Sequence, residues 1–417
     1  MKRGLAKPRS GMIAALDIGS TKVVCFIAQV EPEGGVRVVG IGHQVSRGVR
    51  AGAIIDMDQA ERSIRGAVHA AEQMAGETIR EVFVNLSCGN PSSQTVAVEV
   101  SIAGHEVGDA DLRRVLGQGY LQTESGDREI IHSIPVSYMI DGSRVRDPRG
   151  MYGERLGVNM HVVNASAGPV RNLRTGIARC HLDLQALVAS PYAAGLSALV
   201  EDETDLGVAC IDMGGGSTSI AVFFDGEVVF TECIPIGGAH VTSDIARGLS
   251  TPLAHAERMK TLYGTTLPST SHEHEIIDVP QVGEDEHALP NHVPKSILIG
   301  IIQPRLEETF ELVRSRLEAS GADRLAGRRV VLTGGASQLQ GVRELATLIL
   351  DKQVRMGRPL RIGGLADSTG GPAFATCAGV LQYAVTRYAG PSNRARRPQD
   401  DANGVLGRFG LWLRDNL

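Results

Sequence analysis

Apolar residues along this chain follow two periods. Short unbroken apolar runs bounded by glycine read as buried strands. Apolar positions three and four apart read as one face of a helix. Residues 208–211 and 220–224 are runs of the first kind, and so are the two flanks of residues 14–27. Ala60, Ile64, Ala67, Val68, Ala71 and Met74 recur at the second spacing. They predict a helix over 56–76, with Asp58 as N-cap and Gly76 as stop. Further strands are predicted over 79–86, 94–100, 129–140, 161–164, 183–190 and 329–332, with a short edge at 359–364. Further helices are predicted over 109–120, 169–180, 239–248, 252–263, 294–321, 339–350 and 372–388. The long one carries a stripe of Ile297, Ile301, Leu306, Phe310, Leu312, Val313 and Leu317. Strands alternating with helices predict an α/β fold.

Chemistry enters where two apolar runs meet. Residues 208–224 read V-A-C-I-D-M-G-G-G-S-T-S-I-A-V-F-F. This is a strand, an acid (Asp212), three glycines, three hydroxyls and a second strand. Glycines let a ligand approach the main chain, and successive amides in such a turn make an anion cradle. An adjacent carboxylate can hold a hydrated Mg²⁺ against a phosphate. A plain glycine-rich turn would give the same string once. Residues 14–27, A-A-L-D-I-G-S-T-K-V-V-C-F-I, repeat the order with Asp17, Gly19, Ser20 and Thr21. The later copy reads as two residues longer through its extra glycines. Each copy continues into a hairpin, one turning at 31–35 and the other at Asp225-Gly226, a type I′ signal. A duplicated phosphate loop, one per half, points to a nucleotide. A third glycine turn, Thr333-Gly334-Gly335-Ala336-Ser337, offers backbone for a base or ribose.

The 417 residues suggest about two to four domains. A net charge of −5 argues against general nucleic-acid binding, which wants a basic surface. The six cysteines form no C-x-x-C pair and mostly sit in apolar runs, as in a reducing compartment. The basic N-terminus lacks the apolar region of a signal peptide, and no stretch approaches a membrane span, so a cytoplasmic location is expected. Residues 265–294 hold His272, His274, His287 and His292 among acids; a solvated loop is the favoured reading and a metal site the alternative. The end of the chain differs from the rest. Residues 390–403 form a polar linker, and Val405, Leu406, Phe409, Trp412, Leu413 and Leu417 then fall within an arc of about 140°. The only tryptophan lies on that apolar face with arginine beside it, which favours a membrane surface over docking on protein.

The order of these elements resembles the actin/Hsp70/sugar-kinase superfamily over nearly the whole chain. Within it the chain is similar to the FtsA family, the bacterial cell-division actin homologues. The closer likeness rests on I-D-M-G-G-G-S-T-S-I-A-V at 211–222, V-T-S-D-I-A at 241–246, A-E-R-M-K at 256–260, Q-P-R at 303–305, V-L-T-G-G-A at 331–336 and the tethered terminal helix. The resemblance implies an actin-like (ribonuclease H-like) duplicated fold, two lobes around a cleft for ATP and Mg²⁺, with an inserted α+β subdomain. Implied boundaries are a flexible 1–11, a first core subdomain at 12–86 and 166–204, and the insert at 87–165. A second core follows at 205–236 and 328–389, then an FtsZ-binding subdomain at 237–327, the linker 390–403 and a membrane helix 404–417.

Carried over residue by residue, Gly19, Ser20, Thr21 and Lys22 would face the phosphates from one lobe, and Gly214, Gly215, Gly216 and Ser217 from the other. Asp17 and Asp212 would organise the metal and water. Glu257 and Lys260 would bracket the adenosine, with Gly238, Gly334, Gly335 and Ala336 on its other side; a surface ion pair is the plainer reading of the first two. Arg305 and Lys295 would meet the acidic FtsZ tail. The implied role is to tether FtsZ filaments to the cytoplasmic face of the inner membrane at the septum, to self-polymerise and to recruit later divisome proteins. An ATP-binding adaptor of pilus assembly and a sugar-kinase-like phosphotransferase are the alternatives. One departure stands out. Relatives that hydrolyse ATP place Gln or Glu near the start of the first connecting helix, and here that position falls on Ala186, beside Gln185. ATP binding with slow or negligible turnover is expected.

Overall fold

The computed structural model describes residues 11–31, 35–123, 126–283, 290–360 and 362–388. The predicted linker and terminal helix, with Val405, Leu406, Phe409, Trp412, Leu413 and Leu417, lie outside these residues, as does His287.

The chain opens with a meander of β1 (Met12–Ile18), β2 (Lys22–Val30) and β3 (Val36–Val45), then a small hairpin of β4 (Val49–Arg50) and β5 (Ala53–Ile54). α1 (Met57–Ala75) covers β2 and β3 and leads to β6 (Glu81–Leu86), parallel to β1. The N-cap of α1 lies two residues earlier than expected. Asp56, not Asp58, is extended (φ −137°) and accepts from Gln59 N at 3.0 Å, while Asp58 pairs with Arg179. Gly76 closes the helix at φ 71°, as its sequence position requires; Met74 in the last turn is exposed.

The chain then leaves the first lobe. β7 (Ser92–Ser101), α2 (Asp109–Gln122), β8 (Arg128–Ile140), β9 (Ser143–Val145) and β10 (Arg155–Ser166) form an antiparallel sheet, order β7-β10-β8-β9. Its core packs Leu112, Val115 and Leu116 of α2 on Val98, Leu156, Val158 and Met160. α3 (Ala167–Arg179) and β11 (Asp183–Ala189) return to the first lobe, whose sheet runs β11-β6-β1-β2-β3. α4 (Ser190–Ala198) and α5 (Glu201–Leu206) cross to the second lobe.

There β12 (Val208–Met213), β13 (Thr218–Phe224) and β14 (Glu227–Ile234) repeat the meander, turning at Asp225 and Gly226 with φ 55° and 79°, the type I′ signs. α6 (Gly238–Gly248), α7 (Leu253–Tyr263), the hairpin of β15 (Ile276–Val279) and β16 (Asn291–Pro294), and the long α8 (Lys295–Ser320) follow. α9 (Ala322–Leu325), β17 (Arg329–Thr333), α10 (Val342–Leu350), β18 (Gln353–Met356) and α11 (Ala375–Tyr388) complete the lobe. Its strand order, β18-β17-β12-β13-β14, reproduces that of the first lobe. A pairing of Glu232 with Ser92 continues this sheet into the insert.

The edge predicted at 359–364 is a lone bridge, Arg37 to Gly363; the edge strand is β18, because Pro359 lacks a donor and Gln353–Met356 pairs parallel with β17. On α8 the buried face runs through Leu298, Ile299, Ile302, Leu306, Phe310, Val313 and Leu317, leaving Ile297 exposed.

The connecting helices α4 and α11 sit between the two sheets. Their backbones nearly touch, since a Cβ on Gly379 would lie 1.7 Å from Ala193 O. Apolar residues of both lobes, including Phe26, Ala193, Cys210, Phe223, Val331 and Cys377, share one core around them. All six cysteines are free, and four are buried.

Candidate nucleotide site

The two glycine loops face each other across the gap. Asp17 pairs with Val24 and Asp212 with Ser219, so the loops have equal length, contrary to the sequence reading. Gly215 and Gly216 occupy the places of Ser20 and Thr21; they substitute residues and insert none. Each loop is closed by the same turn bond, Gly19 N to Lys22 O at 3.0 Å and Gly214 N to Ser217 O at 2.9 Å. The glycines are needed because the loops meet. A Cβ on Gly215 would lie 2.4 Å from Thr21 Cγ2, and one on Gly216 2.4 Å from Ser20 Oγ.

Asp17, Gly19, Ser20, Thr21, Lys22, Asp212, Gly214, Gly215, Gly216, Ser217, Gly334 and Gly335 line one cleft. Burial pushes the Asp17 carboxyl up to about 7, against the pull of Lys22 and with a further push from Asp212. Burial likewise pushes Asp212 up to about 6, opposed by a hydrogen bond from Thr376 Oγ1 to Oδ2 at 2.9 Å and by Lys22. Lys22 is depressed by burial; its ammonium donates to Ala373 O at 2.6 Å and lies 3.7 Å from the Phe374 ring centroid. Two carboxylates, Asp17 buried and Asp212 half-buried, against one half-buried ammonium leave a deficit of positive charge. That donor set fits a hydrated divalent cation beside a phosphate cradle.

Sequence reasoning missed Asn85, Ser87, Ser190, Ser219, Ala373 and Thr376, which also line the cleft. Asn85 Oδ1 accepts from Ile18 N at 2.7 Å, and its Nδ2 donates to Ser190 Oγ at 3.1 Å. Asn85 did carry a signal, a buried amide in the apolar strand E-V-F-V-N-L. No Gln or Glu is among the described residues lining the cleft. Ala186 and Gln185 are not among them either: Gln185 sits at a bulge in β11, and α4 presents Ser190 instead.

The residues expected around an adenosine gather on the second lobe. Lys260 Nζ donates to Glu257 Oε2 at 2.7 Å, Thr242 Oγ1 at 2.9 Å and Gly238 O at 3.1 Å. A Cβ on Gly238 would lie 3.1 Å from Ala336 Cβ and 3.6 Å from Lys260 Nζ. Gly334 has φ 87°, and a Cβ there would lie 2.4 Å from Asp212 Oδ1. Arg305 and Lys295 lie apart from this cluster on α8, about 15 Å from each other along its axis. Both are already paired, Arg305 with Asp244 and Glu308, Lys295 with Glu275 at 2.8 Å. Among the described residues no His/Cys/Asp/Glu group could hold a metal at three or more points; His292 pairs with Asp278.

Two lobes of one repeated topology, closing paired Asp-x-Gly loops over buried carboxylates, define an actin-like α/β fold. Solved structures agree. The PilM–PilN type IV pilus biogenesis complex matches with TM-score 0.65 at 17% identity, over 90% of this chain and 99% of that one. MreB5 of Spiroplasma citri bound to ADP matches with TM-score 0.54 at 13% identity, over 90% and 97%. A family model described as Cell division protein FtsA matches residues 209–379, and one described as SHS2 domain inserted in FTSA matches 88–164. The Cell division protein FtsA of Rhizobium meliloti (strain 1021) is 44% identical over 99% of this chain and 96% of its own length. Those of Pseudomonas aeruginosa and Escherichia coli (strain K12) are 35% and 31% identical over 99% and 97% of this chain, and 100% and 97% of their own lengths. The chain belongs to the FtsA family of cell-division proteins.

Proposed function

We propose that this protein binds ATP with Mg²⁺ in the interlobe cleft and tethers FtsZ filaments to the cytoplasmic face of the inner membrane at the septum. The observation that carries the nucleotide reading is the pair of equivalent loops, with Asp17 buried and Asp212 half-buried between them. Backbone amides of Ser20, Thr21 and Lys22 from one loop and of Gly215, Gly216 and Ser217 from the other bind phosphate oxygens, while the Gly19 and Gly214 amides close the turns. Asp17 and Asp212 would hold a hydrated metal through its waters, and Thr376 donates to Asp212 Oδ2 and fixes its rotamer. A divalent ion held there would supply positive charge that partly offsets the two carboxylates and the phosphates. Gly238, Gly334, Gly335 and Ala336 approach the adenosine on one side and Glu257 and Lys260 on the other. No Gln or Glu among the described residues lines the cleft to orient a water, so ATP persists and acts as a clamp between the lobes.

Residues 237–327 grip the acidic FtsZ tail, with Arg305 and Lys295 exchanging their present carboxylates for those of the peptide. Residues 87–165 serve later divisome proteins. The helix at 404–417 lies on the lipid surface through Val405, Leu406, Phe409, Trp412, Leu413 and Leu417. No described helix is long and apolar enough to cross a membrane. Each large apolar side chain contributes at most about 1.5–3 kcal/mol, and ordering so short a helix opposes binding. One tail therefore holds weakly, and a homopolymer of many tails holds firmly through effective concentration.

Co-sedimentation of FtsZ with liposomes tests this. Full-length protein with ATP should pellet FtsZ, and a chain ending at Gly404 should not. Equal pelleting by both would remove the tether.

A further inference from the structure

A second groove opens off the phosphate end of the cleft. Ser20 and Gly216 line both. Its remaining walls come from the β4–β5 hairpin of the first lobe and from α6 and α8 of the second. Three features make it more than a crease. First, Arg50 from one lobe and Arg247 from the other line it, and neither guanidinium has a hydrogen-bond or ion-pair partner among the described residues. Second, its one carboxylate, Asp244, is neutralised by Arg305, so the groove is positive overall. Third, His240 Nδ1 accepts from Gly237 N at 3.1 Å, which in the neutral ring leaves the proton on Nε2 as a free donor. The hairpin tip is also held in an uncommon shape. Ala51 has φ 46°, and its backbone N and Cα would stand 2.9 Å from a Cβ on Gly216.

We propose that this groove binds a small oxyanion of the size and charge of inorganic phosphate, clamped between Arg50 and Arg247 from opposite lobes. Two unpaired guanidinium groups across a gap repel each other; an oxyanion accepting from both converts that repulsion into attraction and draws the lobes together. Ser20 Oγ and the Gly216 backbone lie between this groove and the phosphate cradle, so the site suits a phosphate arriving from solution or one leaving a nucleotide. It stands on residues other than those assigned to nucleotide, apart from Ser20 and Gly216.

Isothermal titration of inorganic phosphate into the full chain tests it, at constant ionic strength, with and without saturating ADP and Mg²⁺. Phosphate should bind in both cases, which separates this site from the nucleotide cleft. Arg50→Ala and Arg247→Ala should each weaken binding about tenfold or more. Arg113→Ala, an exposed control on α2 of the insert, should leave it unchanged. Arg50 and Arg247 are exposed, so thermal midpoints should match the parent protein. Competition by ADP would place phosphate in the nucleotide cleft and overturn the proposal. So would unchanged affinity in both variants, or an equal response to chloride. If ADP fails to bind at all, the nucleotide reading falls while the two arginine variants still decide the groove.

Discussion

A methyl group at Gly334 would stand 2.4 Å from Asp212 Oδ1, on a backbone at φ 87° that L-residues avoid. Gly334→Ala therefore costs stability, about 1 kcal/mol or more, and displaces the carboxylate that faces the cleft. ATP affinity should fall at least about tenfold, measured by calorimetry; unchanged affinity would detach Asp212 from nucleotide binding. Thr376, which donates to that carboxylate, was not legible in the sequence, because the two are 164 residues apart and only the fold brings them together. His161 was equally silent. It is 1% exposed in β10, hydrogen-bonds Thr231 Oγ1 of β14 at 3.1 Å, and is pushed down to about 4 by burial. Its folded value lies below the usual value of about 6.5, so the neutral ring is the stable form. The stability it contributes is present above that pH and is lost as pH falls toward 4, by at most about 3 kcal/mol. His161→Gln should flatten the decline of the thermal midpoint between pH 6.5 and 4.5. An unaltered decline would exclude this residue as its source.

The strand–loop–strand units were legible because buried strands flanking glycine leave a strong local pattern, and Asp225-Gly226 carries its turn type in two residues. Loop length was misread because glycines counted as insertions prove to be replacements for Ser20 and Thr21. The cross-strand register decides this, with Asp17 opposite Val24 and Asp212 opposite Ser219, and apolar content does not. The edge at 359–364 failed for a related reason: edges are set by non-local pairing, here β17 with β18. The small residues of α4 and α11 let the two helices approach closely. Gly379→Ala puts a Cβ 1.7 Å from Ala193 O, so the helices must part. A loss of about 1–3 kcal/mol in chemical denaturation is expected, as for other overpacked cores. Because these helices join the lobes, nucleotide affinity should fall with it. A variant as stable as the parent would show that the crossing adapts.

Duplication at the level of the whole molecule explains why one cleft exists. Two sheets of identical order, β11-β6-β1-β2-β3 and β18-β17-β12-β13-β14, bring equivalent loops face to face. The insert joins the second sheet at its β14 edge, so its position follows that lobe. With no Gln or Glu among the described residues lining the cleft, phosphate release should run far below the order of 10 s⁻¹ common among enzymes. A colorimetric phosphate assay checks this, and turnover at that rate would require a water-orienting group from elsewhere. The most direct test is calorimetric titration of ATP, with Mg²⁺, into the full chain. A cleft formed by paired loops predicts one saturable site per chain, weakened in Gly334→Ala; no binding in the parent protein would contradict it.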